Sequence, residues 1–186
     1  MKQIKIKNDF TPPMPVVLAG AVVNGKENFM AVGWCMRVNM APNMIAISLD
    51  KKRYTLQGIL ENDCFSICLP GCELEKQTDF CGIFSGTKAD KSKLFTSFYG
   101  KLKKAPMIEE CAVNLICKLH QTVDLGNDML VIGEVVEAFA REDVLDNGKT
   151  NIKKITPMIF TMPENTYWQL GKPTGTAWKD GFELNK

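Results

Sequence analysis

Seven cysteines and one histidine are the side chains from which nucleophilic or metal chemistry would have to be built. Cys64, Cys68 and Cys72 recur every four residues, a spacing that on a helix would line one face and suit a soft metal. The segment from Asp63 to Leu69 reads as a strand, however, and Pro70-Gly71 interrupts the chain before Cys72. The paired CxxC spacing of structural zinc sites is also missing. Buried, unreactive thiols are the reading that fits, and metal binding is not expected. His120 falls on the polar face of a strand, where a solvated side chain is expected rather than a base. Ser-His-Asp and Cys-His catalysis both need a histidine to accept the proton. No GxSxG, HExxH or Walker A pattern accompanies this one, and no GxGxxG follows a strand. Hydrolase, nucleotidase and Rossmann readings lose their support.

A different chemistry is suggested by cations placed beside flexible backbone. Lys52-Arg53-Tyr54-Thr55 sets two cations and a hydroxyl at the start of an expected helix, where unpaired N–H groups bind phosphate readily. Ser85-Gly86, followed by Asp90-Lys91, adds a second hydroxyl, a flexible backbone and another cation. Between these lies the stretch Asn28 to Asn39, which alternates cleanly as a strand. Met30, Val32, Trp34, Met36 and Val38 share one face, expected to be core, while Ala31, Gly33 and Cys35 share the other. Tight packing against a neighbouring strand accounts for those small residues as well as a ligand does. A flat ring on them, with a phosphate between two basic loops, describes a mononucleotide cofactor that spacing alone does not name.

The elements that must position these residues are mainly β. Pro15 to Val23 is an apolar run closed by Asn24-Gly25, a strong hairpin signal. Met44 to Leu49 reads as a further strand, Arg53 to Asn62 as a short helix through Leu56, Ile59 and Leu60, and Glu73 to Phe84 as a second helix. From Cys111 a long half-buried strand is expected, with Val113, Leu115, Cys117, Leu119, Val123 and Leu125 inward and Asn114, Lys118, His120 and Asp124 outward. Leu130 to Ala140 should pair with it through Gly126-Asn127. Long strands beside a short-strand meander predict an antiparallel barrel with a few peripheral helices.

Composition bounds the class. The chain has 186 residues, 45% hydrophobic and 24% charged, which suits one globular domain over 1–186 and excludes intrinsic disorder. With 23 basic and 21 acidic side chains the net charge is +2, too balanced for a nucleic-acid binder. No stretch approaches the roughly 18 apolar residues of a membrane span, and the N-terminus lacks a secretory core. An odd number of scattered cysteines favours free thiols in a reducing compartment, so a cytoplasmic protein is expected.

Five segments, in order, resemble a known family: Pro15-Val16-Val17-Leu18, Asn28-Phe29-Met30-Ala31-Val32-Gly33-Trp34, Lys52-Arg53-Tyr54-Thr55, Cys81-Gly82-Ile83-Phe84-Ser85-Gly86 with Asp90-Lys91, and Ile132-Gly133-Glu134-Val135-Val136. Together they look like the flavin reductase-like, FMN-binding split barrels, and within them the flavoredoxin group, from about residue 10 to residue 170. The resemblance implies a six-stranded antiparallel split barrel, usually a homodimer, with FMN near the subunit interface. It implies an isoalloxazine ring along Ala31, Val32, Gly33, Trp34 and Cys35, and a bond from Asn28. Arg53 and Thr55 fall on the phosphate side, Ser85 and Gly86 in a cofactor loop, and Lys91 on the basic residue after it. Two departures stand out. Asp128 occupies a position where many relatives carry a histidine, and Cys35 one where they often carry an aromatic. A thiol there would tune or react beside the flavin, or be a passive small side chain.

Three functions follow. The first is a redox protein that keeps FMN bound and passes electrons from a reduced donor, such as a donor protein, to an acceptor. The second is a flavin or ferric-chelate reductase driven by NADH or NADPH. The third is a flavin-binding interaction module without turnover.

Overall fold

The computed structural model describes residues 1–184. After an extended start come β1 (Met14–Pro15) and β2 (Val17–Val23), which turns through Asn24 and Gly25 into β3 (Lys26–Val32). Asn24 and Gly25 have φ of 50° and 77°, the left-handed pair of a tight hairpin turn that this dipeptide adopts at low cost. β4 (Cys35–Asn39), β5 (Met44–Asp50), α1 (Tyr54–Asn62), β6 (Cys64–Leu69) and α2 (Glu75–Ile83) follow. Two short strands, β7 (Ser97–Phe98) and β8 (Met107–Ile108), lead to the long hairpin β9 (Val113–Asp124) and β10 (Asp128–Ala140). The chain ends with the small hairpin β11 (Leu145–Asp146) and β12 (Lys149–Thr150), α3 (Ile152–Ile155), β13 (Met158–Thr161) and β14 (Thr166–Gln169).

The main sheet runs β3-β2-β6-β9-β10-β5-β4, antiparallel throughout. Its two edges, β3 and β4, are halves of the single strand expected from Asn28 to Asn39. The sheet therefore curls into a barrel of six strand positions, one of them occupied by a strand that changes partner midway. The change happens at Trp34. Cys35 N–H donates to Gly33 C=O at 3.0 Å, a three-residue γ-turn centred on Trp34, and Trp34 C=O then accepts from Ser48 N–H at 3.0 Å. β3 is paired with β2, and from Trp34 onward the chain is paired with β5.

The turn also shifts the alternation by one residue, which corrects the expected faces. Met30 and Val32 enter the barrel core, but beyond the turn it is Cys35 that packs inward. Trp34, Met36 and Val38, expected in the core, are exposed.

Two large cores, with a small cluster of Ala112, Val144 and Ile155, explain the burial pattern. Inside the barrel lie Val17, Ala19, Ala21, Met30, Val32, Ile47, Phe65, Cys117 and Val131, with Leu56 and Ile59 of α1 closing one end. Leu60 of that helix is exposed. A second core between the sheet and α2 holds Leu18, Phe29, Leu74, Ile108, Ile116 and four cysteines, Cys64, Cys68, Cys81 and Cys111. β2 is covered on both faces, so its apolar run does not alternate. The same double cover buries Asn114, expected outward. Its side chain accepts from Ile108 N–H at 3.1 Å and donates to Ile108 C=O at 2.9 Å, as a neighbouring strand would. His120 is exposed and sits unpaired in a bulge of the β9–β10 ladder. Past it Val123 and Leu125, expected inward, are exposed because the hairpin outruns the barrel. No helix among the described residues is long and apolar enough to cross a membrane.

β10 crosses the barrel closely at Gly133. A Cβ there would lie 2.6 Å from the ring of Phe65 and 2.9 Å from Cys117 Cβ. Gly133→Ala is therefore expected to destabilise the fold by about 1–3 kcal/mol through overpacking. The denaturation midpoint of the variant in urea, at unchanged slope, measures this.

Candidate functional site

The partner switch at Trp34 leaves the barrel split between β3 and β5, and the split is a cleft. Its larger end, about 440 Å³, is walled by Ala31, Gly33 and Trp34, by Ser48 and Asp50 of β5, by Met14, and by Phe160 and Met162 from the far end of the chain. Met14 and Phe160 are brought together as paired residues of β1 and β13, in the three-stranded sheet β1-β13-β14. Little stands over Gly33, where a Cβ would meet nothing closer than Met14 Sδ at 3.5 Å. The cleft continues past Met30, Asp50 and Arg53 into a hollow of about 200 Å³ between α1 and the 85–91 loop. A further hollow of about 250 Å³ shares Asn28, Tyr54, Gly86 and Lys91 with it.

The narrow end is polar and already organised. Asn28 and Thr55 are both buried, and Asn28 Nδ2 donates to Thr55 Oγ1 at 2.7 Å. Asn28 Oδ1 accepts no hydrogen bond among the described residues. It lies so close to Gly86 that any Cβ there would collide with it and with the Tyr54 ring. Lys91 is only 3% exposed. Its ammonium donates to Phe29 C=O at 2.9 Å and to Cys81 C=O at 3.0 Å, tying β3 to α2. No carboxylate pairs with it among the described residues. Burial holds its pKa below the ordinary lysine value, with the nearby Arg53 charge adding to the effect. Two acceptors for three N–H groups, and no countercharge, leave an electropositive point facing the hollow.

Arg53 stands across from it, exposed and in no ion pair among the described residues. It precedes α1 in extended conformation and its side chain does not cap the helix; Leu56 N–H bonds to Arg53 C=O at 3.1 Å, and the amides of Tyr54 and Thr55 have no side-chain cap. Ser85 lines the hollow, its Oγ 3.0 Å from Thr87 Oγ1. Carboxylates border the cleft as well, Asp128 at the wide end and Asp50 where the wide end meets the hollow. Asp50 and Asp128 face each other as paired residues of β5 and β10, and both line the cleft.

The structure thus brings Asn28, Ala31, Val32, Gly33, Trp34, Arg53, Thr55, Ser85, Gly86 and Lys91 to one continuous cleft. Val32 contributes backbone, since its side chain is in the barrel core. Cys35 is not among the residues that line this cleft. The γ-turn directs it into the barrel core, away from the cleft wall, and burial pushes its thiol up to about 12. Sequence reasoning missed Met14, Asp50, Phe160 and Met162. Asp50 lies two residues before Lys52-Arg53-Tyr54-Thr55, within reach of a local reading. Phe160 and Met162 carry no local signal, because only the sheet pairing of β1 with β13 brings them there. Around Phe160, Met158 is buried core, Tyr167 donates to Asp79 at 2.9 Å, and Trp168 is exposed.

Known proteins share this fold. The sequence model of the flavin reductase-like domain matches residues 11–162. A crystal structure of flavoredoxin from Methanosarcina acetivorans superposes with a TM-score of 0.96 at 46% identity, covering 99% of this chain and 100% of that one. Flavoredoxin of Desulfovibrio vulgaris (Miyazaki F) gives 0.89 at 29% identity, over 97% and 100% of the two chains. An uncharacterized protein of Archaeoglobus fulgidus is 30% identical over 135 residues, 70% of this chain and 76% of its own length.

A thiol held near 12 carries little thiolate at neutral pH, and the thiolate is the reactive form. In the folded protein at pH 8, Cys35 is expected to react with iodoacetamide about a thousandfold more slowly than an unperturbed cysteine. Peptide mapping of the alkylated protein by mass spectrometry measures the rate, and fast labelling of Cys35 contradicts its burial.

Proposed function

The chain belongs to the flavin reductase-like domain family, and on that premise we propose that it is a flavoredoxin-like redox protein, a single domain that binds FMN and transfers electrons through it. The observation that carries the reading is Lys91, a buried ammonium without a countercharge, placed at the narrow end of a cleft whose wide end suits a flat ring. The likeness to two proteins called flavoredoxins supports it.

The residues present fit that group. Lys91, Arg53 and the uncapped start of α1 hold the phosphate, where charge-assisted hydrogen bonds and the helix dipole act together. Asn28 and Thr55 orient the polar chain next to it. Gly33 and Ala31 admit the ring against the backbone, while Trp34, Met14, Phe160 and Met162 keep water from its sides. When bound, FMN supplies the electron-transfer chemistry itself. The protein needs no acid–base triad for this, and its contribution is electrostatic. The paired carboxylates Asp50 and Asp128 at the wide end oppose further negative charge there, which favours a low reduction potential. We further propose that the working form is a homodimer, paired through the apolar outer face of β4.

Visible absorption of the purified protein tests the reading, followed by anaerobic addition of NADH and then NADPH. Flavin bands that survive both nucleotides and bleach with a reduced donor protein are the expected outcome. Bleaching by a nucleotide makes the protein an NAD(P)H-dependent reductase instead. A colourless protein that takes up no added FMN overturns the proposal.

Lys91 gives a sharper prediction. Only its protonated form attracts the phosphate, and burial lowers its pKa from the ordinary 10.5. FMN affinity is therefore expected to be flat near neutrality and to fall as pH rises, starting below the range where an exposed lysine titrates. Lys91→Met should weaken FMN about ten- to a hundredfold at pH 7 and abolish that alkaline fall. Quenching of FMN fluorescence across pH measures both.

A further inference from the structure

The charged side chains that line the wide end of the cleft are Asp50, Arg53 and Asp128. Arg53 also lines the adjoining hollow, where Lys91 is buried. The phosphate proposed for that hollow carries close to two negative charges near neutrality, about what these two cations balance. With both engaged, no cation lining the wide end is left to offset Asp50 and Asp128. The neighbouring ammonium is committed elsewhere, since Lys51 Nζ pairs with Asp124 at 2.5 Å. Asp50 is fixed in place, its Oδ1 accepting from Lys52 N–H at 2.8 Å. Neither Asp50 nor Asp128 takes part in an ion pair among the described residues.

The two carboxylates are also directly opposite each other in the β5–β10 ladder. Like charges so placed cost a sheet stability. The rest of the wide end is largely apolar. Met14, Trp34, Phe160 and Met162 line it, with Trp34 50% exposed and Met162 38% exposed. A molecule that meets the ring from solvent therefore comes between apolar side chains and beside uncompensated negative charge. Cleft walls of low dielectric concentrate the field of such charges on whatever enters.

We infer that Asp128, together with Asp50, selects the electron-exchange partner by charge. Neutral or cationic apolar molecules reach the ring, and anionic ones, the diphosphate-bearing nicotinamide dinucleotides among them, are held off. The inference rests on the flavin reading proposed above and adds the charge class of the molecule that reacts at the wide end.

The test uses the full chain loaded with FMN and photoreduced without oxygen. Stopped flow then follows its reoxidation by hexaammineruthenium(III), a cation, or by ferricyanide, an anion. Both are one-electron oxidants, so each fully reduced flavin consumes two ions and releases its protons to water. The quantity read is the ratio of the two rate constants, cation over anion. A shift in flavin potential moves both rates in the same direction and largely cancels in this ratio. At low ionic strength Asp128→Asn is expected to lower the ratio at least about tenfold. An unchanged ratio with FMN still bound overturns the inference and leaves the flavin reading intact. A wild-type chain that takes up no FMN overturns both. The wild type supplies a second readout that depends on no variant. Added salt is expected to slow the cation and speed the anion, as screening of a local negative field does. The net charge of the whole chain, +2, predicts the opposite signs. Salt effects of those opposite signs, or none, overturn the inference.

Discussion

One backbone hydrogen bond, from Cys35 to Gly33, governs the architecture. Without that turn the segment from Asn28 to Asn39 would stay beside β2, and β5 would lose its outer neighbour. With it, one strand closes the sheet at both edges. The barrel must then be split, because a strand that leaves one partner for another cannot be bonded to both at the crossing. The gap between β3 and β5 is the cleft. Closure and site come from the same local event, which is also why the wall at that point is Gly33 and Ala31 rather than larger residues.

Around the gap, buried polar groups act as cross-braces. Lys91 joins β3 to α2 through two carbonyls, Asn28 joins β3 to α1 through Thr55, and Asn114 stands in for a strand beside Ile108. Each satisfies backbone or side-chain groups that would otherwise be costly to bury. They differ in what remains. Asn114 has both its carbonyl and amide engaged, so it serves structure alone. Lys91 and Asn28 each keep capacity unspent, and both direct it into the same hollow.

The elements were largely legible in the sequence because local signals set them. Asn24-Gly25 marked the first hairpin, Gly126-Asn127 the long one, and the spacing of Leu56 and Ile59 the helix that closes the barrel. Most of the cleft was legible too, through the order of five short segments. What failed did so for one kind of reason. The γ-turn at Trp34 has no proline or paired glycine to announce it, so the alternation of Met30, Val32, Trp34, Met36 and Val38 was read as continuous. Asn114 and β2 lie beneath a second layer that a one-sided pattern does not anticipate. Phe160 and Met162 reach the cleft through pairing across some 145 residues of chain, between β1 and β13.

That last distance has a further consequence. The walls of the cleft come from residues 14, 28–34, 48–55, 81–91, 127–128 and 160–162 of a single chain, and no short fragment contains them. The site does not exist until the slowest, most non-local contacts of the barrel have formed. A molecule that lodges there has no foothold on the unfolded chain, so its binding adds resistance to unfolding that grows with the ratio of its free concentration to its dissociation constant. Occupancy of this cleft is thereby a late check on the fold as well as its use. A chain that closes wrongly at Trp34 forfeits both together.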